Sequence, residues 1–346
     1  MTKQSDFIWL SVHLFYNEPW EEFLQQAVEP YVNTAISTGI VQKYFFIRYW
    51  EQGPHIRLRF KGEKEIVKAV LEPNVQEHFE TYFDSKPSLR KDPSYPAFFP
   101  EETKWLPNNS VHKIDYHPEI ERYGGSKGLE IAEQHFMLSS KTVLDLILEK
   151  GKNWSYEEGM GAAIKLYVTM ASAAGFSLEE AIAFFDMIHL AWLPHALGIY
   201  QKQLSPETIE QHTLLTLQTF EDSFEQQKES LLPFHRQLWK GLSEQNSFED
   251  ELMEYWFHGN TEIIQQLVYE TENGNISERP SSFSYTINSN ISPSSAKVWQ
   301  MLSDYIHLTN NRLGIHNKDE SFLAFMIKRS LEEVLKKKEV GWRSKN

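Results

Sequence analysis

The sequence predicts an α+β protein, in which a small mixed sheet with flanking helices is followed by a largely α-helical part packed against it. Two observations support this prediction. Within residues 1–150, strand and helix patterns alternate in the order β-α-β-β-α. From residue 155 to about 270, apolar residues recur almost continuously at helical spacing, with helix starts at Ser155, Ser177 and Ser205. We therefore divide the chain into an α+β part, residues 1–150, and a helical part, residues 151–346, and expect one compact unit.

The elements of the first part follow from local signals. Strand segments are rich in aromatic and β-branched residues, and the first helix opens with Pro19 and ends near Gly39. Residues 84–110 are rich in Pro, Ser, Asn and Asp, which is typical of a long loop. The predicted elements are strands at residues 7–16, 41–50, 54–60 and 111–116, and helices at residues 19–37, 63–83 and 127–149.

In the second part, residues 271–291 are polar and predicted to be a loop. Ser292 and Pro293 then begin a final pair of helices, residues 293–314 and 319–338, separated by Gly314.

Composition and charge narrow the possible functions. The chain has no cysteine, which excludes disulfides, thiolate metal sites and cysteine nucleophiles. Its 34 basic and 48 acidic residues give a net charge of −14, which argues against non-specific binding to nucleic acid. No apolar signal region begins the chain, and no run of about 18 apolar residues occurs, so we expect a cytoplasmic protein without a membrane span.

Common cofactor and hydrolase motifs are missing from the sequence. It contains no His-Glu-x-x-His, no Gly-x-Gly-x-x-Gly after a strand, no P-loop and no Gly-x-Ser-x-Gly. The histidine pairs at 112/117 and 189/195 do not have a usual metal-ligand spacing. The sequence therefore predicts neither a metal nor a cofactor.

The strand at residues 54–60 combines apolar and cationic faces. Its three polar side chains, His55, Arg57 and Arg59, alternate with three apolar ones and lie on one face. Such a face is either in water or a rigid set of donors for an anionic group such as a carboxylate. For the strand alone the first reading is favoured. Arg48 in the preceding strand extends this face if the registers agree; the alternative is a cross-strand surface pair.

Two further segments contain candidate site residues. Arg122-Tyr123-Gly124-Gly125 precedes a helix that Ser126 can cap, so an anion there would meet free N–H groups; a plain glycine turn is the alternative. On helix 293–314, a projection at about 100° per residue places His307 opposite the apolar face. Periodicity alone therefore makes His307 a surface residue, useful for chemistry only if that side lines a cleft.

These motifs occur in an order that resembles a known family. They are Trp9 with its strand, Phe46-Ile47-Arg48-Tyr49, Gly53 to Phe60, Glu119 to Gly125, Ala132-Glu133 to Phe136, and His307 with Asn311-Arg312. Together they resemble the carboxy-terminal elimination domain of class I lantibiotic dehydratases, here as a separate chain. The stand-alone thiopeptide-type bacteriocin biosynthesis proteins, including pyridine synthases, share this pattern. The resemblance spans most of the chain and is weaker through residues 155–290.

The resemblance implies a lyase of lanthipeptide biosynthesis. It removes glutamate from glutamylated Ser or Thr of a ribosomal precursor peptide and leaves dehydroalanine or dehydrobutyrine. Arg57, Arg59 and Arg122 are then expected to bind the glutamyl group and the developing charge, with His307 as acid or base. Substrate binding is expected from the remaining candidates, which are His55, Arg48, Tyr123, Gly124 and Gly125. We expect Arg57, Arg59, Arg122 and His307 to converge on one cavity.

The same resemblance implies partners and leaves alternatives open. The expected partners are the precursor peptide, a separate tRNA-dependent glutamylating dehydratase subunit and a lanthionine cyclase, without direct contact with nucleic acid. One alternative is a thiopeptide pyridine synthase, a [4+2] cyclase that also releases the leader. The other is a non-catalytic scaffold that binds the peptide within a biosynthetic complex.

Overall fold

The computed structural model describes residues 6–198, 205–243, 250–280 and 291–343. It divides into two compact units. The first contains the described residues of Met1–Glu119 and Phe136–Trp154, and the second those of Ile120–His135 and Ser155–Asn346. The segment Ile120–His135, which the sequence division at residue 150 placed with the strands, thus groups with the helical unit.

A four-stranded sheet forms the centre of the first unit. Its strands are β1 (Phe7–Phe15), β2 (Lys43–Tyr49), β3 (His55–Glu63) and β4 (Ser110–Lys113), in the order β2-β3-β1-β4. The α+β class is confirmed, but the sheet is antiparallel at each described pairing rather than mixed. β1 and β2 run in the same direction because both are antiparallel to β3. Since β3 lies between them, the parallel pair of a mixed sheet does not form.

Two interrupted helices cover the apolar face of this sheet. They are α1 (Trp20–Phe23) and α2 (Glu29–Ser37), joined by a π-helical turn at Leu24–Val28, and α3 (Lys64–Ile66) and α4 (Glu72–Ser85), joined by another at Val67–Leu71. Both follow the predicted helices closely. The Tyr31 ring of α2 packs on Phe60 of β3 at 5.8 Å and on Phe79 of α4 at 5.5 Å. The apolar side of β3 is completely buried as a result.

The predicted loop between α4 and β4 contains only the short helical turn Glu101–Thr103. Hydrogen bonds from side-chain amides connect the two ends of this loop. Asn109 Oδ1 accepts from the Ser88 amide at 2.7 Å, and Asn108 Nδ2 donates to Ser88 Oγ at 2.9 Å. The strand that follows is shorter than predicted because its pairing with β1 ends at Lys113.

The second unit is helical, as the periodicity predicts. Its helices are the amino-terminal part of α5 (Ser126–Lys150), then α6 (Tyr156–Ala173), α7 (Leu178–Ala196), α8 (Pro206–Ser243), α9 (Glu251–Glu272), α10 (Pro293–Leu313) and α11 (Asn317–Arg343). The predicted serine caps are present: Ser155 accepts from the Glu158 amide at 3.2 Å, and Ser177 forms a reciprocal capping box with Glu180. The predicted loop at 271–291 starts after Glu272, and its residues 281–290 lie outside the described part of the chain.

Helix α10 is buried on its polar as well as its apolar side. Besides Met301, Leu302 and Tyr305, it buries Asp304 and Asn310 to 1% exposure or less. It begins with the Ser292 cap and ends at Gly314 in the left-handed conformation, φ +85°. The polar side of α10 is therefore not the solvated surface that periodicity predicts for it. None of the helices within the described ranges is both long and apolar enough to cross a membrane.

Candidate functional site

The cationic face of β3 is largely buried, unlike the polar face of an ordinary alternating strand. His55 is 1% exposed, Arg59 is 9% exposed, and the Arg57 side chain is 19% exposed. Arg57 pairs across the sheet with His13 and Ile47, and Arg59 with Ser11 and Phe45. The interpretation that this face of β3 is exposed to water is therefore wrong. These residues form a dense patch of aromatic, histidine and arginine side chains.

Arg57 is held in one orientation by its neighbours. Its guanidinium carbon lies 3.4 Å from the centroid of the Tyr49 ring, and Nη2 lies 3.2 Å from Glu51 Oε2. Its Nε donates to Nε2 of His55 at 3.2 Å. The other His55 nitrogen, Nδ1, lies 2.8 Å from the carbonyl oxygen of Gly53. Because that carbonyl only accepts, Nδ1 has the proton, and Nε2 is the acceptor that fixes Arg57.

The histidines beneath the arginines are neutral. Burial, with a smaller effect from Arg57, lowers the pKa of His55 to about 4. His13 stacks on His55 at 4.8 Å, and burial together with the adjacent His55 and Arg57 lowers the pKa of His13 to about 2. The positive charge of this patch near neutral pH therefore comes from its arginines.

Arg59 is placed among aromatic rings of the first unit. Its guanidinium carbon lies 4.3 Å from the centroid of Tyr116 and 5.2 Å from that of Phe45. These rings restrain the side chain, and the strand register places it on the same face as Arg57. The two arginines are thus brought together by β3, as the alternation predicts.

Arg48 does not extend this cationic face. It pairs with Ile56 across β2 and β3, and residues that pair in this way point to the same side of the sheet. Ile56 is on the helix-covered side, where Arg48 Nη1 binds Glu21 Oε1 at 2.7 Å and the guanidinium lies over Trp20. The prediction that Arg48 joins the arginine face is therefore wrong, because the register between β2 and β3 places Arg48 on the other face of the sheet from Arg57 and Arg59.

The Arg122–Gly125 turn is packed against another segment of its own unit. Gly124 and Gly125 have φ of +71° and +103°, which favours glycine. A Cβ on Gly124 would lie 2.6 Å from Ile276 Cγ2, and the Gly124 carbonyl accepts from the Ser277 amide at 2.7 Å. Tyr123 is 2% exposed. The close approach that Gly124 permits is therefore to residues 276–277 of the chain itself.

The helix after this turn begins one residue earlier than predicted, at Ser126 itself. Its first backbone hydrogen bond runs from the Leu129 amide to the Gly125 carbonyl, at 3.0 Å. The residue whose carbonyl accepts that bond is the cap, so Gly125 occupies the cap position and Ser126 is the first helical residue of α5. The prediction that Ser126 caps the helix is wrong by one residue.

Arg122 is anchored to a buried carboxylate. Its Nη2 donates to Asp304 Oδ1 at 3.1 Å, while Arg279 binds Asp304 Oδ2 through its own Nη2. The side chains of Asp304 and Arg279 are each 1% exposed, and that of Arg122 is 18% exposed. Arg122 is therefore a half-buried cation bound to a buried carboxylate, and is not the solvent-exposed arginine of a plain glycine turn.

His307 is paired with an acid that the sequence analysis did not single out. Its Nδ1 lies 2.8 Å from Oε1 of Glu320 on α11, and its ring stacks on Trp192 of α7 at 4.5 Å. Glu320 is 1% exposed, and its Oε2 has no hydrogen-bond partner in the part of the chain that the structure describes. An ionised carboxylate only accepts, so Nδ1 donates to Glu320 and Nε2 is the acceptor nitrogen of the neutral ring.

A second histidine, His195, lies beside this pair. Its ring is 4.7 Å from that of Trp192. Burial lowers the pKa of His195, the Glu320 carboxylate opposes that change, and the neighbouring His307 adds to it. Trp192, which stacks on His307, thus also contacts the neutral ring of His195.

Asp304 and His307 are three residues apart on α10, so they are neighbours on one side of the helix. The anchor of Arg122 therefore lies beside the histidine that is paired with Glu320. Arg122 and His307 belong to the second unit, whereas Arg57 and Arg59 belong to the first. The convergence of all four on one cavity stays a prediction. Among the described residues, no group of three or more His, Asp or Glu side chains is placed to hold a metal ion.

Three functional candidates are absent from the sequence prediction: Glu320, Asp304 and Arg279. Glu320 looked like one of the acids that usually occupy the first turn of a helix, here that of α11. The sequence places Asp304 on the polar side of the predicted helix 293–314, next to His307, and this position is the signal that could have identified it. Arg279 lies in a polar segment with no periodic pattern, and nothing in the sequence connects it to Arg122.

Comparison with known proteins identifies relatives of this chain. The sequence is 33% identical over 179 residues to the subtilin biosynthesis protein SpaB of Bacillus subtilis, a match that covers 51% of this chain and 15% of that protein. The chain thus spans a small part of that relative's length.

Solved structures of other proteins share the fold. The pyridine synthase TbtD from thiomuracin biosynthesis superposes with a TM-score of 0.69 at 17% identity, covering 94% of this chain and 98% of that one. The tRNA-dependent lantibiotic dehydratase MibB from Microbispora sp. 107891 gives a TM-score of 0.55 at 18% identity, covering 98% of this chain and 29% of that one. At such identities the likeness concerns the fold alone.

The model of one protein family matches residues 9–331, which include every candidate residue described above. The chain belongs to the lantibiotic biosynthesis dehydratase C-terminal family.

Proposed function

We propose that the chain is a carbon–oxygen lyase that eliminates glutamate from glutamylated Ser and Thr residues of a ribosomally made precursor peptide. One observation above all supports this proposal. Helix α10 holds His307, paired with Glu320, beside Asp304, which anchors Arg122. A proton acceptor and a fixed cation on one helix side are what a β-elimination from an acylated serine requires.

The reaction proposed is a β-elimination. Nε2 of His307 takes the Cα proton of the modified residue, and the electrons of that C–H bond form the Cα–Cβ double bond. The Cβ–O bond breaks, and glutamate leaves as a carboxylate. Glu320 holds the Nδ1 proton and balances the charge of the imidazolium that forms. A positioned base of this kind contributes roughly 10²–10⁴-fold to the rate.

The arginines stabilise negative charge in this proposal. Charge develops on the carbonyl oxygen next to Cα and on the departing carboxylate, and both are acceptors for guanidinium groups. The contacts of Arg122 with Asp304, of Arg57 with Tyr49 and of Arg59 with Tyr116 restrain the three guanidinium groups, which supports this role. Arginine does not lose its proton in proteins, so it is not the base.

The proposal places the chain within a set of partners. The whole of MibB is named a tRNA-dependent lantibiotic dehydratase, and this chain corresponds to 29% of it. We propose that a separate tRNA-dependent subunit glutamylates the precursor peptide in the cytoplasm. The dehydroamino acids that this chain forms then serve a lanthionine cyclase.

A second candidate function is a pyridine synthase, which joins two dehydroalanines in a formal [4+2] cyclisation and releases the leader. The observation in its favour is the coverage of the match to TbtD, which includes nearly the whole of both chains. The cyclisation releases no carboxylate, although release of the leader also needs proton transfer. The guanidinium of Arg122, fixed by Asp304, therefore favours elimination.

The test is to incubate the chain with a synthetic precursor peptide that contains glutamylated serine and to follow its mass. We expect the loss of one glutamic acid per modified site. His307→Ala should reduce the rate of loss by roughly 10²-fold or more, because the base is removed. His258→Ala is the matched control, since His258 is 61% exposed and its ion-pair partner is Glu254 on the same helix.

Unchanged glutamylated peptide with the wild-type chain would contradict the elimination. A pyridine product from a peptide with preformed dehydroalanines would establish the cyclase instead. Binding of both peptides without turnover would identify the chain as a scaffold. Equal rates for His307→Ala and His258→Ala would remove His307 from the mechanism.

A further inference from the structure

Arg57 of β3 is oriented by two neighbours within the first unit. Its Nε donates to Nε2 of His55 at 3.2 Å, and His55 is 1% exposed. The Tyr49 ring lies against the guanidinium, with its centroid 3.4 Å from the central carbon. A carboxylate binds an arginine best through two parallel N–H groups. Because Nε is occupied by His55, the pair of donors that Arg57 can offer a ligand is Nη1 and Nη2.

Glu51 lies at this edge of Arg57. Its Oε2 accepts from Nη2 at 3.2 Å, and its side chain is 69% exposed, against 19% for Arg57. An ion pair this exposed adds little to stability, because water screens it and competes with it. A ligand carboxylate that accepts from both Nη1 and Nη2 forms two bonds in place of one and can displace Glu51. His55 and Tyr49 still orient Arg57 after such a displacement.

The backbone around Glu51 is held in a tight turn between β2 and β3. The Gly53 amide donates to the Trp50 carbonyl at 3.1 Å, and Gln52 has a φ of +59°. The Gln52 carbonyl in turn accepts from the Leu106 amide at 2.8 Å. These backbone bonds restrain residue 51, although its side chain is exposed. A Glu51 carboxylate that has left Arg57 therefore stays beside it, next to the ligand that Arg57 has bound.

The glutamyl group of the proposed substrate has two opposite charges close together. An amino acid is attached to tRNA through its α-carboxyl group, so a glutamyl group transferred to a serine oxygen keeps its α-ammonium and its side-chain carboxylate. Arg57 and Glu51 present the complementary pair, a guanidinium beside a carboxylate. Such a pair selects its ligand by attraction of the matching charges and by repulsion of the wrong ones.

We infer that Glu51 is a specificity-determining residue, whose carboxylate binds the ammonium of the glutamyl group while Nη1 and Nη2 of Arg57 bind its side-chain carboxylate. This inference rests on the proposed function, because that function supplies the glutamyl group. The ammonium distinguishes a glutamyl group from the acyl group of a plain dicarboxylic acid such as glutarate. Glu51 disfavours acyl groups of the second kind, since they compete with it for Arg57 and offer its charge no partner.

The experiment compares two small ligands that differ only in the ammonium. They are the α-methyl ester of glutamate and monomethyl glutarate, and calorimetry measures their Kd values for the full chain. We expect the wild type to prefer the glutamate ester about tenfold, as for one charge-assisted hydrogen bond. In Glu51→Gln the preference should fall to within about twofold. The glutamate ester should bind more weakly, whereas monomethyl glutarate should bind as well as before or better.

Three further variants separate a direct role of Glu51 from an indirect one. Glu51→Asp keeps the charge on the same turn and should keep most of the preference. Arg57→Gln should weaken both ligands about equally, since both have the carboxylate. Glu63→Gln is the matched control: it removes an exposed carboxylate at the other end of β3 and should leave both Kd values unchanged.

Several results would overturn the inference. They are an unchanged preference in Glu51→Gln, equal weakening of both ligands, and equal tightening of both, which would make Glu51 only a competitor for Arg57. Failure of the wild type to bind either ligand would also overturn it.

Glutamate release from the glutamylated peptide separates this inference from the proposed function. Release by a wild-type chain without the preference for the ammonium removes the role of Glu51 and leaves the elimination standing. A wild-type chain that shows the preference but releases no glutamate contradicts the elimination and supports the role of Glu51.

Discussion

The stacked histidines His13 and His55 should make the first unit sensitive to acid. His13 is 5% exposed, and the folded protein keeps it neutral by burial and by the neighbouring His55 and Arg57, with a pKa of about 2. Its unfolded pKa is 6.5. Since the pKa of His13 is lower in the folded than in the unfolded state, its contribution to stability is fully present above pH 6.5. That contribution is lost as the pH falls below 6.5 toward the folded pKa.

The magnitude follows from this difference. Between pH 7 and pH 5 the unfolded chain binds nearly one proton at residue 13 and the folded chain binds almost none. This change lowers the free energy of unfolding by about 2 kcal/mol. His13→Phe keeps an aromatic ring next to His55 and removes the titration. Between pH 7 and pH 5, we therefore expect the free energy of unfolding of the variant to fall by about 2 kcal/mol less than that of the wild type.

The assay is urea unfolding followed by circular dichroism at pH 7 and pH 5, with the free energy taken from the midpoint and slope. The exposed His258 supplies the control, because His258→Phe should leave the acid loss unchanged. If His13→Phe loses as much stability in acid as the wild type does, His13 does not titrate as the structure indicates.

Two further predictions concern the second unit. Gly124→Ala should destabilise the protein by roughly 2 kcal/mol more than Gly175→Ala. Both positions have a φ near +70°, but only at Gly124 would the new Cβ meet other atoms. Thermal unfolding of the two variants therefore isolates the steric cost. Equal losses of stability in the two variants would contradict this packing. Glu320→Gln should lower kcat roughly 10–100-fold with little change in KM, because an amide still accepts from His307 but no longer balances its positive charge. An unchanged kcat would show that the pair has no part in proton transfer.

The fold was predictable from the sequence to the extent that it depends on local pattern. Ser177 capped its helix as expected, because a capping box is complete within four residues. The alternation of β3 placed Arg57 and Arg59 on one face, since that parity is a property of any strand. Arg48 was misplaced because its face depends on the register between β2 and β3, which a single strand does not contain.

The site was less predictable, because its contacts join residues far apart in the chain. Helical projection placed His307 in water on the assumption that one side of α10 is exposed, whereas α10 buries Asp304 and Asn310 as well. Arg122 and Asp304 are 182 positions apart. Periodicity carries no information at that range, and only the folded chain brings such partners together.

The neutral histidines of the β3 patch also govern how a pH–rate profile of this protein should be interpreted. His55 and His13 gain protons only near pH 4 and pH 2, and burial lowers the pKa of His112 as well. The arginines stay charged throughout. Above about pH 5, neither His13 nor His55 therefore changes the charge that this patch presents to a substrate. A change in rate above that pH then reports the ionisation of other groups, in the protein or in the substrate.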